Sequence, residues 1–256
     1  EGAVRPVRGP MAAAAGAKAR CESALQTLLE ELKVPSLHDT QLECIVQGFD
    51  KRRDVWAQLP CGGGKTLIAL GLVHLLKCIG IMVLPLDSIA EEMKRDFPKC
   101  GVRVVVLCEA TRREVCELLR SFKLGKDGPV MVLTSPESLL HKDVLEALAP
   151  LPGTFSDDAM DAFSKTGKSW SELPRSPVGV VIYDEAHSVC EWGHDFRVDY
   201  QRLLEVAAAL RSWRTCALLL VALTATATPA EREYAMASLG FRTGNKLFSL
   251  VKSTRR

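Results

Sequence analysis

Several absences narrow this sequence before any motif is considered. No apolar run approaches the roughly 20 residues that a membrane-spanning helix requires, so no such span is expected. The nine cysteines are odd in number and scattered, and no C-x-x-C pair occurs. That pattern argues against a disulfide framework or a zinc site and for a reducing compartment. Net charge is only +2, so a nucleic-acid contact has to come from a local patch rather than a global field. No internal repeat is visible, and low complexity is confined to the alanine run at 12–15. The first twenty residues lack core periodicity and carry four basic residues against one acid. They read as a flexible tail, residues 1–20, with an Arg/Ala-rich organelle leader as the alternative.

What is present is an ordinary globular composition: 256 residues, 47% hydrophobic and 25% charged. That length buries a sizeable core in one large domain or two small ones. From Cys21 the pattern turns helical, with Leu25, Leu28, Leu29 and Leu32 on one face. Six short apolar runs follow, at 54–60, 79–85, 102–107, 129–134, 178–184 and 217–223. Each reads as a strand buried on both faces, the habit of a parallel sheet. Amphipathic stretches lie between them: Ile89, Met93 and Phe97; Val115, Leu118, Leu119 and Phe122; Leu140, Val144 and Leu148. Strand–helix alternation of this kind predicts an α/β fold, a mostly parallel central sheet with helices on both faces. Residues 150–177, rich in Pro, Gly, Ser and Asp, read as an inserted loop with a short helix near Asp157–Phe163.

Ligands of such sheets gather at the carboxyl ends of the strands, so the loops there carry the chemistry. The first strand runs into "LPCGGGKT", residues 59–66. Glycines let backbone N–H groups turn toward phosphate oxygens, and the following helix adds its positive end. In this reading Pro60, Cys61, Gly62, Gly63 and Gly64 form the cradle, Lys65 neutralises the phosphates, and the Thr66 hydroxyl binds Mg²⁺. The first glycine of the general G-x-x-x-x-G-K-[ST] pattern is replaced by Leu59. A fifth run ends in "DEAH", residues 184–187. Asp184 is the expected metal carboxylate and Glu185 the group that orients or deprotonates water. His187 could link this site to a neighbour; taken alone, such a pair also reads as a helix cap. The sixth run enters "TATATP", residues 224–229, where Thr224 and Thr226 could hydrogen-bond the acidic pair and Pro229 and Glu231 suit a helix start. Then comes "CEWGHDFRVDY", residues 190–200, a mixture of rings and charges unsuited to a core strand.

In this order and spacing, "LPCGGGKT", "DEAH" and "LTATAT" resemble motifs I, II and III of superfamily-2 helicases. "SVCEWGHDFRVDY" resembles the aromatic-rich loop of RecQ-like DNA helicases, which directly follows their acidic box. "LHDTQLECI" at 37–45 is similar to the adenine-reading motif, with Gln41 at its glutamine; "LPLDSIAEEM" and "TSPESLL" resemble the family's next two motifs. The likeness covers roughly residues 21–250 and implies a RecA-like P-loop fold and the first lobe of an ATP-dependent 3′-to-5′ DNA helicase. It implies ATP and Mg²⁺ as cofactors and single-stranded or duplex DNA as partner. DNA contact and its coupling to the ATP site would fall to Trp192, His194, Asp195, Phe196 and Arg197, with Ser88, Thr224 and Thr226. Aromatic faces at 192 and 196 would stack on bases, worth about 1–3 kcal/mol each. A nucleus is the implied compartment. The family's Arg or Lys before the glutamine is His38 here, a more usual Gln is Glu191, and the loop at 150–177 is longer than usual. The family's second lobe, which brings the arginine finger, is absent from the chain. Two other readings remain at this point, a nucleotide-gated DNA-binding module without catalysis and a DEAH-type RNA helicase.

Overall fold

The computed structural model describes residues 10–84, 100–148, 176–191, 194–212 and 218–252. Seven strands form one sheet in which every pairing is parallel. In chain order they are β1 (Asp54–Gln58), β2 (Ile79–Val83), β3 (Arg103–Leu107), β4 (Val130–Thr134), β5 (Val178–Tyr183), β6 (Leu219–Thr224) and β7 (Leu247–Val251). Their spatial order is β3-β4-β2-β5-β6-β1-β7. The central strands are buried along their length, and their Val, Ile and Leu content is why six were legible as continuous apolar runs.

β7 is the strand the sequence pattern concealed. It lies at an edge, paired only with β1, and its side chains are part exposed. Four of its five residues are apolar, so partial exposure and not composition sets it apart from the buried strands.

Helices cover both faces. On one face lie α1 (Pro10–Glu31), α2 (Asp39–Phe49) and α3 (Lys65–Leu76), which contribute Leu25, Leu28, Cys44, Ile45 and Ile68 to a core with Val55, Ile182 and Val221. On the other lie α4 (Arg112–Ser121), α5 (Pro136–Leu139), α6 (Lys142–Leu148), α8 (His194–Ser212) and α9 (Pro229–Ser238); the short α7 (Ser188–Glu191) precedes α8. Val115, Val144, Leu203, Val206 and Leu239 from this layer pack on Trp56, Val181 and Leu220.

Two expectations are corrected. Residues 10–20 are helical rather than a tail: α1 starts at Pro10, and Ala17 and Cys21 are buried against Leu42 and Val46 of α2. An alanine-rich stretch is a strong helix former without any amphipathic signature, so periodicity could not reveal it. The ring-and-charge stretch was expected as a loop, yet residues 194–197 form the first turn of α8. The helix formers that follow extend it. The 150–177 insertion, its short helix, and the Ile89–Met93–Phe97 face fall mainly or wholly outside the described residues, as do Ser88 and Trp192.

Candidate nucleotide site

Strand order creates the site. β5, β6 and β1 are consecutive neighbours, so the segments leaving their carboxyl ends emerge side by side. Leu59 N–H donates to the Thr224 carbonyl at 2.9 Å, and Ala186 N–H donates to the Leu223 carbonyl at 3.1 Å. The phosphate-type loop and the DEAH segment are thus both tied to the end of β6. Gln58, a residue the motif search passed over, adds a third tie through Nε2 to the Ala227 carbonyl at 3.0 Å.

The 59–66 loop curls tightly. Gly63 N–H donates to the Pro60 carbonyl at 2.9 Å, and Gly62 and Gly64 hold φ of 75° and 69°. Those angles suit glycine because a Cβ would clash with the backbone there. Gly64 caps α3, which begins at Lys65 and carries Thr66 in its first turn. Cys61 and Gly62 face solvent. Backbone donors, a helix start and a cation converge, which is the arrangement that holds a polyphosphate.

Opposite the loop, the Lys65 ammonium lies 3.4 Å from Glu185 Oε1. His187 Nδ1 sits 3.3 Å from Glu185 Oε2, a close approach without hydrogen-bond alignment, and 2.7 Å from Thr224 Oγ1. The Thr224 hydroxyl is fully buried; it donates to the Thr226 carbonyl at 2.8 Å and accepts the Thr226 N–H at 3.3 Å. With its single hydrogen so used, it accepts from His187, which assigns the proton to Nδ1. One line of contacts therefore runs from Lys65 through Glu185, His187 and Thr224 to Thr226. All five of these residues were singled out, from three separate motifs, and their connection through β6 was not legible from any one of them.

Glu185 has φ of +45°. A non-glycine residue in the left-handed region costs on the order of 1 kcal/mol and concentrates at functional turns. Here the turn lets Ser188 N–H return to the Glu185 carbonyl at 2.8 Å while the carboxylate faces Lys65.

Asp184 is the best-matched candidate for a divalent cation. Its Oδ1 is buried without a hydrogen-bond partner. Burial, followed by repulsion from Glu185, pushes its carboxyl above the usual range, against the pull of Lys65 and His187. A partly buried carboxylate of this kind suits a hard cation, and Asp184 with the Thr66 hydroxyl, in the first turn of α3, would be the residues to hold it. Among the described residues no group of three or more His, Cys, Asp or Glu could hold a metal by itself, so such a cation would depend on the ligand's own oxygens.

Behind the loop stands Gln41, 2% exposed, whose Nε2 donates to the Gly63 carbonyl at 3.0 Å. Beyond β6, Thr228 and Glu231 form the reciprocal cap that opens α9, as Pro229 and Glu231 implied. Cys190 Sγ reaches the Glu231 carbonyl at 3.4 Å and so holds α7 to α9. Of the DNA-contact candidates, Thr226 is exposed at the site, residues 194–197 head α8, and Ser88 and Trp192 lie outside the described residues.

Comparison with known proteins agrees with this geometry. The family model described as DEAD/DEAH box helicase matches residues 38–234. The chain is 33% identical over 211 residues to ATP-dependent DNA helicase Q5 of Rattus norvegicus, a match covering 82% of this chain and 19% of that protein. It is 28% identical over 208 residues to the probable ATP-dependent DNA helicase RecS of Bacillus subtilis, covering 79% of this chain and 34% of that protein. Among solved structures, the DUF1998 helicase MrfA bound to DNA superposes with a TM-score of 0.58 at 15% identity, over 90% of this chain and 28% of that one. The Pyrococcus furiosus Hef helicase domain superposes at 0.50 and 18% identity, over 87% and 39%. These likenesses bear on the fold. The chain spans between a fifth and a third of the two curated relatives' length.

Proposed function

Since this chain belongs to the DEAD/DEAH box helicase family, with RecQ-type DNA helicases among its relatives, we propose that it is the ATP-binding first lobe of a RecQ-like enzyme that couples ATP hydrolysis to single-stranded DNA and to 3′-to-5′ duplex unwinding. In this reading Gly62–Thr66 hold the β- and γ-phosphates, with Lys65 as their counter-charge. Mg²⁺, when bound with ATP between Thr66 and Asp184, supplies charge neutralisation at the transferring phosphoryl group. Glu185 orients the attacking water and takes its proton. Before nucleotide arrives, Glu185 and Lys65 neutralise one another; a triphosphate competes for Lys65 and frees the carboxylate to meet water.

The observation that carries this reading is the continuous contact line Lys65–Glu185–His187–Thr224–Thr226. It joins the phosphate loop to the exposed Thr226 turn through partners at 2.7 to 3.4 Å. A DNA strand lying on the carboxyl face near Thr226 and the start of α8 could thereby bias the Glu185 carboxylate. His194, Asp195, Phe196 and Arg197, together with Trp192 and Ser88, are the proposed DNA-side contacts, and a nucleus the proposed compartment. The second lobe with its arginine finger is a proposed partner of this one.

The deciding assay is steady-state ATP hydrolysis by the purified chain, alone and with single-stranded DNA or RNA, beside Lys65→Ala. Turnover raised by DNA and removed by Lys65→Ala supports the coupling lobe. Greater stimulation by RNA than by DNA would refute the RecQ-like substrate, and turnover unaffected by Lys65→Ala would refute the site.

A further inference from the structure

The amino end of the sheet, a strand's length from the nucleotide site, is rimmed by exposed cations. Arg52 enters β1, Lys77 enters β2, Lys123 and Lys126 enter β4, and Lys246 enters β7. None of the five has an ion-pair partner among the described residues. Cations on the helical faces are often paired, as Lys18 is with Glu43, Arg113 with Glu117 and Lys142 with Glu146. The connections at 50–53, 77–78, 122–129 and 239–246 hold two carboxylates, Asp50 and Asp127. Asp50 is taken up by Arg20 at 2.8 Å and Lys51 at 2.7 Å. Asp127 Oδ2 accepts the Lys123 backbone N–H at 2.6 Å.

Two of these cations sit where glycine would carry less strain: Arg52 and Lys77 hold φ of 53° and 47°. The negative pole of α3 suits Lys77, but Arg52, Lys126 and Lys246 end no α-helix. Arg52 and Leu124 line one cavity of about 80 Å³ with Pro177, so the entrances of β1 and β4 meet across that of β5. From β4 to β7 is five strand spacings, a row roughly 24 Å long.

Leu124 is the exposed large apolar side chain here, too little for the apolar centre of a protein interface. No aromatic ring in these connections is exposed, so a single strand finds no stacking platform. Exposed point charges without either feature contact a phosphate backbone and read no base.

We propose that the amino end of the sheet is a second nucleic-acid surface, which holds the backbone of duplex DNA apart from any strand at the carboxyl end. The choice of DNA over RNA rests on the enzyme reading above; the phosphate chemistry does not. A duplex lying along the row offers about 14 phosphate charges, one per roughly 1.7 Å.

Lysine acetylation read by mass spectrometry, on the full chain without nucleotide and with a short blunt-ended DNA duplex, locates the contact. Lys77, Lys123, Lys126 and Lys246 become protected while Lys142 stays labelled. Anisotropy of the same labelled duplex then compares two variants of equal net charge, Lys123→Glu/Lys126→Glu and Arg113→Glu/Lys142→Glu. The first weakens binding about tenfold or more at low salt and lowers the slope of log affinity against log salt by about two. The second leaves both near wild type. The footprint is read on the unaltered chain, so it decides where a variant fails to fold. Equal losses in the two variants, or Lys123 and Lys126 left unprotected, overturn the inference. Tighter binding of an RNA duplex, a polyglutamate peptide or phosphatidylserine vesicles, with the same lysines protected, gives the surface to another partner and overturns it too. Neither readout involves ATP, so a failure in the hydrolysis assay and a failure here are told apart.

Discussion

Replacing Asp54 with Ala removes a charge hub at the opposite end of β1 from the nucleotide site. Asp54 opens β1 and is fully buried. Its carboxylate meets Arg211 Nη2 at 2.6 Å and Arg242 Nη2 at 2.7 Å, and it accepts the Leu220 and Arg242 backbone N–H groups at 3.1 and 2.8 Å. One side chain thereby fastens the end of α8, the start of β6 and the turn after α9 to the strand that carries the phosphate loop. Arg211 also donates to the Gly240 carbonyl. Taking away one member of a buried ion pair costs about 3–5 kcal/mol, because the partner charges are left without compensation. Both arginines keep about a quarter of their side chains exposed, 24% and 23%, and can turn partly to water. The lower end, about 3 kcal/mol, is therefore expected. For a chain of this size that is a fall of roughly 6–12 °C in Tm. Asp54→Asn, which keeps an acceptor but not the charge, should lose about half as much. Urea unfolding and calorimetry, with an Asp54→Ala/Arg242→Ala cycle, measure this directly. A loss below about 0.5 kcal/mol, within the usual range for surface changes, would refute the view that the hub holds these elements together.

Three further outcomes are expected. Glu185→Gln should abolish hydrolysis while nucleotide still binds, since the amide cannot take a proton from water; rapid turnover by that variant would remove Glu185 from its role. Cys61 is the exposed thiol among the described cysteines and lies in the phosphate loop, so thiol labelling followed by mass spectrometry should find it modified first and protected by ATP with Mg²⁺. Equal labelling with and without nucleotide would place the ligand elsewhere. Burial holds the His74 imidazole below its ordinary 6.5, aided by Lys77 and opposed by Glu31 and the Ala24 carbonyl. The unfolded chain therefore binds a proton that the folded one resists, and the stability His74 permits above pH 6.5 is lost as pH falls below it. His74→Gln should flatten that part of the acid limb in chemical unfolding at pH 5 to 7.5, and an unchanged slope would contradict the assignment.

The strands, the phosphate loop and the acidic box were legible because each is local: a run of apolar residues or a fixed spacing read along the chain. What escaped notice was non-local or lacked contrast. Asp54 gave no signal because its partners Arg211 and Arg242 lie 157 and 188 residues away. The Glu185 backbone angle follows from the turn that Ala186 and Ser188 close, not from its own type. Gln41 was found by its motif, but its bond to Gly63 spans 22 residues and only the folded chain displays it. α1 and the head of α8 were misjudged for opposite reasons, one too uniform in alanine and the other too mixed in rings and charges.

The placement of β1 also sets a timetable for biosynthesis. Its two lateral partners are β6 and β7, which begin at Leu219 and Leu247, so the strand leading into the phosphate loop leaves the ribosome long before either neighbour exists. At about 5–20 residues per second, that strand waits on the order of 8–30 seconds for β6. During this interval both its edges are open, and the pairing that follows is among the slowest kinds to form. Nascent chains halted before residue 219 should accordingly resist folding and attract chaperones, however complete the phosphate-loop motif they already contain.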